Sequence, residues 1–361
     1  MIETYLVGGA VRDELLGLPV IDRDWVVVGS NEETMLKEGY ERVGKDFPVF
    51  LHPISKEEYA LARTERKIAA GHQGFECDAS DSVTLEEDLM RRDLTINAIA
   101  KSANGDLIDP QKGTLDIQLK ILRHVSPAFC EDPLRILRIA RFFARFEDFA
   151  VAPETIALLR QMIKEEQLDE LAVERIWVEV TKALETHHPA RFFQLLRELG
   201  AHDKLWPVIP NSGIDRLTGL TSKITEPELR FAGLCSQSSH GLRDHLKRMK
   251  VPNRFADLAL AANKHMDHLL LESPSPESIL KLLMNLDALR RPQRFHDLLR
   301  LAQSIKSLTA LQPLFDWNRH FQVVQGIGSD LVDPNLKGKD FGDALSRLRL
   351  EALKVLKSKQ T

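Results

Sequence analysis

Short apolar runs separated by turn residues occupy the first part of the chain. Thr4-Tyr5-Leu6-Val7, Trp25-Val26-Val27-Val28 and Glu58-Tyr59-Ala60-Leu61-Ala62 each have the length and the β-branched or aromatic content of a strand. Between them, Asn31 followed by Glu32 and Glu33, with Gly39 beyond Met35-Leu36-Lys37-Glu38, predicts an N-capped helix with a glycine stop. From Pro133 onward the period becomes helical: Leu134, Leu137, Phe142 and Phe143 recur against charged positions, and almost no strand-like alternation follows. Breaks are expected at His187-His188-Pro189, Pro207 to Gly213, Ser273-Pro274-Ser275-Pro276 and Gly326 to Gly342, where Gly, Pro and Asp cluster. No fixed-period repeat interrupts this order. The pattern predicts an α+β protein with a small mixed-sheet head over 1–125, a helical neck over 126–210 and a helical body and tail over 211–361.

Composition narrows the classes. A chain of 361 residues suits two or three domains and buries a large core without crosslinks. Its 43% hydrophobic and 28% charged content and mean hydropathy of −0.22 exclude a disordered tail, and no apolar run approaches the ~18 residues of a membrane span. The start, Met1-Ile2-Glu3-Thr4-Tyr5, lacks the basic and apolar regions of a secretory signal, so the cytoplasm is the expected compartment. Cys77, Cys130 and Cys235 stand in no CxxC spacing and read as reduced thiols. With 49 basic and 53 acidic residues the net charge is −4, so any polyanion partner must be held by local charge.

Three clusters carry candidate chemistry. Leu6-Val7-Gly8-Gly9-Ala10-Val11-Arg12-Asp13 reads as strand, turn and helix, with Asp22-Arg23-Asp24-Trp25 opening a second strand. Glycines let the backbone approach a ligand, and the N–H groups of a helix start can bind anionic oxygens such as those of a triphosphate. In a strand, residues i and i+2 point to one side, so Asp22 and Asp24 would present paired carboxylates. Such a pair repels unless a cation sits between its members, and oxygen-only ligands suit Mg²⁺, which completes its shell with water and substrate phosphates. In Arg91-Arg92-Asp93-Leu94-Thr95-Ile96-Asn97-Ala98, the adjacent arginines are expected to diverge, one toward a phosphate and the other toward an acid or solvent. The third cluster runs from Glu131 to Arg145. Asp132 before Pro133 is an N-cap and first-turn pair, and Arg135, Arg138, Arg141 and Arg145 then fall along one stripe of the helix. No acid lies four residues beyond any of them, so the guanidinium forks await partners from elsewhere.

These ordered motifs, with Tyr59-Ala60-Leu61-Ala62-Arg63-Thr64-Glu65-Arg66-Lys67 between them, resemble the bacterial class II tRNA nucleotidyltransferases, which include CCA-adding enzymes and the related poly(A) polymerases. The likeness is to the gammaproteobacterial CCA-adding type; it covers most of the first two hundred residues and is weak beyond residue 215 or so. The resemblance implies a nucleotidyltransferase head with Asp22 and Asp24 as catalytic, metal-binding carboxylates. It implies that Gly9, Arg12 and Arg92 hold the incoming nucleotide, and that Asp132, Arg135, Arg138 and Arg141 complete its pocket. The implied reaction is attack of a tRNA 3′-hydroxyl on the α-phosphate of CTP or ATP, with two Mg²⁺ ions and release of pyrophosphate. Glu65 is a candidate third carboxylate. Base choice has its own physics: Asp132 accepts and Arg135 donates, which suits the amine and ring nitrogen shared by cytosine and adenine. Guanine and uracil would put a carbonyl against the carboxylate, and no nucleic-acid template is needed.

Many such relatives carry a C-terminal phosphohydrolase domain marked by an adjacent His-Asp pair. Here the corresponding stretch reads Cys235-Ser236-Gln237, so no metal-dependent phosphatase or phosphodiesterase activity is expected, and His240, His245, His265 and His268 read as structural or surface histidines. The rival readings are a poly(A) polymerase, a partial CC- or A-adding enzyme, and a non-catalytic RNA-binding scaffold. Retention of both Asp22 and Asp24 argues against the last. Arg243, Lys247, Arg248 and Lys250, with Arg290 and Arg291, are basic stretches read as solvated faces or as contacts to an RNA backbone. Monomer and homodimer are equally compatible with the sequence.

Overall fold

The computed structural model describes residues 2–43, 49–67, 75–309 and 314–358, with 65–67, 75–77 and 309 described by backbone alone. As far as Ile108 the described residues hold nine strands: β1 (Glu3–Val7), β2 (Asp24–Val28), β3 (Glu41–Arg42), β4 (Val49–Leu51), β5 (Glu58–Leu61), β6 (Thr64–Lys67), β7 (Phe75–Asp78), β8 (Ala100–Lys101) and β9 (Leu107–Ile108). Seven of them form one mixed sheet in the order β3-β4-β5-β2-β1-β8-β9, and β6 pairs with β7 in a separate hairpin. The central pair is antiparallel, with Glu3 opposite Val28 and Val7 opposite Asp24, while β2 runs parallel to β5. The sheet is buried on both faces: Val26 packs with Val7, Leu85 and Leu89, whereas its neighbour Val27 packs with Met35, Phe50 and Leu61 on the other side. That explains the unbroken apolar run at Trp25–Val28, which a sheet open to water on one side would not need.

The expected helix after β2 is α2 (Glu32–Lys37), which follows α1 (Gly9–Leu15); the Asn31 side chain accepts the Thr34 N–H at 3.0 Å, and Gly39 beyond its end adopts φ +85°. The strand expected over Glu58–Ala62 is β5, and after Ala62-Arg63 the chain enters β6, which belongs to a different sheet. The side chain of Glu65 lies outside the described residues. Helix α3 (Leu85–Met90) carries a full capping box between Thr84 and Glu87 and leads into Arg91 and Arg92.

The stripe helix is α4 (Leu134–Arg145), followed among others by α5 (Val173–Leu184). Its start lies one residue beyond the expected one, with Pro133 at the cap position, yet Asp132 still secures it: the carboxylate accepts the Leu134 N–H at 3.1 Å and the carbonyl accepts the Arg135 N–H at 3.0 Å. Leu134, Ile136, Leu137, Ile139, Ala140 and Phe142 are buried.

The chain forms two compact units. The first comprises 1–183 and 191–205, so head and neck share it; the second comprises 184–190 and 206–361. The second unit is helical, built around a core that includes Phe295, Trp317, Phe321 and Leu353. Within it the buried Arg230 guanidinium donates to the carbonyls of Leu184, Thr186, Thr221 and Ile224, which ties the 184–190 segment to its own unit.

Candidate active site

Gly8 ends β1 and precedes α1, with φ +69° and ψ −124°, a conformation that glycine alone adopts without strain. A Cβ here would stand 2.7 Å from Arg92 Nη1, so any side chain would have to displace that guanidinium. The pairing of Val7 with Asp24 sets the first residue of β2 beside this turn. Asp22 lies in the coil just before β2, so strand alternation is not what orients it, yet both aspartates line a single cleft of about 680 Å³ in the first unit. Gly9, Arg12, Arg92, Asp132, Arg135, Arg138 and Arg141 line the same cleft. Every nucleotide-site candidate from the sequence is therefore brought to one place.

The arginines are held, not loose. Arg12 is buried, lies over the rings of Phe142 and Phe146 at 5.2 and 5.3 Å, and donates to Asp13 and to Asn97 Oδ1. Burial pushes its pKa down. Arg91 and Arg92 do not diverge as expected: both donate to the fully buried Asp88, three and four residues earlier, at 2.7 and 3.1 Å. Arg138 meets Asp93 at 2.7 Å, and Arg141 meets the buried Glu179 on α5. Arg145 reaches Asp13 at 2.8 Å. Arg135 donates to the carbonyls of Ala128 and Arg91. The Asp132 carboxylate pairs with the Arg175 guanidinium at 2.9 Å. Each arginine of α4 thus has a partner from outside the helix, as the absence of acids at i+4 implied.

The acids divide into two kinds. Burial alone would raise the Asp93 carboxyl, but Arg138 and the Asn97 side chain outweigh it and hold the acid far below the usual carboxylate range. Asp22 and Asp24 differ: neither makes an ion pair among the described residues, although Asp13, Asp93 and Asp132 around them all do. Desolvation raises the Asp24 carboxyl, Arg92 opposes this, and Asp22 adds to it. Two unbridged carboxylates beside a cleft are an oxygen donor set suited to a hard divalent cation.

Residues 4–123 match the family described as Poly A polymerase head domain, and residues 148–211 match the one described as Probable RNA and SrmB-binding site of polymerase A. The chain is 46% identical to the CCA-adding enzyme of Coxiella burnetii, over 98% of this chain and 96% of that one. It belongs to the CCA-adding enzymes, which are tRNA nucleotidyltransferases. Solved CCA-adding enzymes carry the likeness into three dimensions. The Bacillus stearothermophilus enzyme in complex with CTP is 26% identical, with a TM-score of 0.69 over 98% of this chain and 89% of that one. A tRNA nucleotidyltransferase complexed with a primer tRNA and an incoming ATP analogue is also 26% identical, with a TM-score of 0.64 over 85% of this chain and 94% of that one. The nucleotidyltransferase family depends on a divalent metal.

Sequence reading missed Gly8 as the strained glycine, together with Asp88, Asn97, Arg175 and Glu179. Asp88 was legible, since it stands at helical spacing before Arg91 and Arg92. Arg175 and Glu179 were not, because their partners lie about forty positions away and only the packing of α5 on α4 unites them. No described helix is long and apolar enough to cross a membrane.

Proposed function

We propose that this cleft carries the template-free addition and repair of the 3′-terminal CCA of tRNA from CTP and ATP, with release of pyrophosphate. The observation that carries the reading is the pair of unbridged carboxylates, Asp22 and Asp24, facing a wall of positioned arginines across one cavity. Asp22 and Asp24 would hold Mg²⁺, which when bound lowers the charge on the reacting phosphate and favours the attacking hydroxyl as an alkoxide. Arg92, beside the Gly8 turn, is positioned by Asp88 and by the Asn97 carbonyl at 3.4 Å, so it meets a phosphate with little reorganisation. Gly9 and Arg12 form the adjoining wall.

At the other end of the cleft Asp132 supplies an acceptor, and Arg135 and Arg175 supply donors. That combination pairs with the amine and ring nitrogen of cytosine or adenine and leaves the carbonyl of guanine or uracil unpaired, a mismatch that a hydrogen-bonding site can reject by up to the order of 10⁴. Arg138 and Arg141, locked by Asp93 and Glu179, keep the wall from collapsing onto the base. A cytoplasmic enzyme is the reading that goes with these substrates. The test is the product ladder on tRNA ending at its discriminator base. Two cytidines with CTP alone and a complete CCA with both nucleotides are expected; adenosine runs from ATP alone, or arrest at CC with both present, would refute full CCA addition.

A further inference from the structure

The second unit holds a cavity unrelated to the catalytic cleft, between α6 (Asn253–Leu269) and α7 (Pro276–Asn285). Its volume is about 360 Å³, at the lower end of the range of small-ligand sites. Lys264, His265, His268 and Lys281 line it, with Ser278 and Glu277 from the first turn of α7. Neither lysine makes an ion pair among the described residues, whereas Glu277 lies 3.9 Å from Lys354. The decisive side chain is His265. It is only 6% exposed, yet it makes no hydrogen bond among the described residues and borders the cavity. Its carbon frame is buried while its ring nitrogens keep contact with solvent, so a ligand accepting its N–H would take the place of water there. The surrounding charges fix the sign of that ligand: two exposed ammonium groups favour an anion, against one carboxylate that already lies near a cation.

We propose that this pocket binds a phosphate group, with His265 donating from the floor and Lys264 and Lys281 closing over it from the rim. Donors on both helices line the cavity, and a phosphate offers more acceptor oxygens to meet them than a carboxylate does. Neutral His265 is the form expected there, since burial together with Lys264, His268 and Arg294 depresses its pKa to about 4. Its single ring N–H is then the donor.

The test uses the full chain with ring-labelled histidine, followed by nuclear magnetic resonance during titration with inorganic phosphate. Saturable shifts of the His265 and His268 ring signals are expected. In the Lys264→Gln/Lys281→Gln double variant the affinity read from those signals should fall about tenfold or more, as for lost hydrogen bonds between charged groups. Both lysines are exposed, so an unchanged melting temperature will show that the fold is kept, and Lys281→Glu alone should abolish the shifts. No shift at tens of millimolar phosphate, or shifts of equal affinity in the double variant, would overturn the proposal. Competition then distinguishes the source of the phosphate. Displacement by cytidine monophosphate assigns a free nucleotide and displacement by tRNA alone assigns an RNA backbone; displacement by neither a nucleotide nor tRNA leaves inorganic phosphate itself as the ligand.

Discussion

Replacing Asp88 by asparagine removes one charge, keeps the shape, and tests whether the arginine pair is positioned from behind. Asp88 is fully buried; Oδ1 accepts from Arg91 at 2.7 and 3.0 Å, and Oδ2 accepts from Arg92 at 3.1 and 3.3 Å. Breaking a buried pair by removing one partner costs ~3–5 kcal/mol, but the two arginine side chains are 19% and 18% exposed and regain some hydration, so about 2–3 kcal/mol is the expected loss. Urea unfolding of the full chain measures it. The pH dependence supplies a second reading. Burial raises the Asp88 carboxyl, but Arg91 and Arg92 together more than reverse this, and the folded pKa lies below its ordinary value. A depressed carboxylate contributes its full stability above the unfolded pKa and loses it as the pH falls through the folded one, so the gap between wild type and variant should close below about pH 4. Function should follow: Arg92 freed from its anchor raises the KM for CTP and ATP, with a loss in kcat/KM on the order of 10²-fold for a misplacement of 1 Å. A variant with the wild-type unfolding midpoint, or one that is destabilised but has unchanged nucleotide kinetics, would refute the argument that Asp88 sets the phosphate-binding wall.

Three further outcomes are expected. Gly8→Ala should cost about 1–3 kcal/mol, because its φ of +69° and ψ of −124° suit glycine alone, and it should lower kcat/KM by pushing Arg92 away; a fully active variant would show that the close approach is incidental. With Asp24 in its proposed role as a metal-binding carboxylate, Asp24→Asn should reduce incorporation by about a thousandfold or more, while CTP binding measured in chelator is kept or tightened by relief of repulsion; comparable incorporation would remove Asp24 from the chemistry. Asp132→Ala should relax discrimination against UTP and GTP by about tenfold or more, beyond the ~1 kcal/mol of stability due to its cap; an unchanged incorporation ratio would leave it a purely structural residue.

What could be read in advance was what is encoded locally. The strands at Thr4–Val7 and Trp25–Val28, the Asn31 cap and the Asp132-Pro133 helix start each depend on neighbours within a few positions, and each is found within a residue of where the pattern puts it. The site candidates were legible because phosphate chemistry needs arginine and carboxylate at fixed places on a turn or a helix face. The pairings were not. Nothing near Arg141 announces Glu179, and nothing near Asp132 announces Arg175, because a guanidinium that finds its acid across a packed helix interface leaves no trace in the spacing of either. The change of sheet between β5 and β6 was hidden for a related reason: Ala62-Arg63 contains no turn residue, and the Ala62 N–H is satisfied by the Val27 carbonyl across the sheet.

The pairing changes what the net charge means. Ten cationic side chains line the catalytic cleft against five aspartates, in a chain whose total charge is −4. If those cations were free, the cleft would attract any polyanion, and its arginines would lose conformational entropy on each binding event. Asp88 and Glu179, placed behind the wall and almost wholly buried, fix Arg91, Arg92 and Arg141 beforehand while leaving a positive excess toward the cavity. The same acids reduce the field that indiscriminate anions experience. An acidic protein can thus present a preset cationic wall at one place, because the carboxylates that lower its overall charge are also those that set the geometry of its arginines.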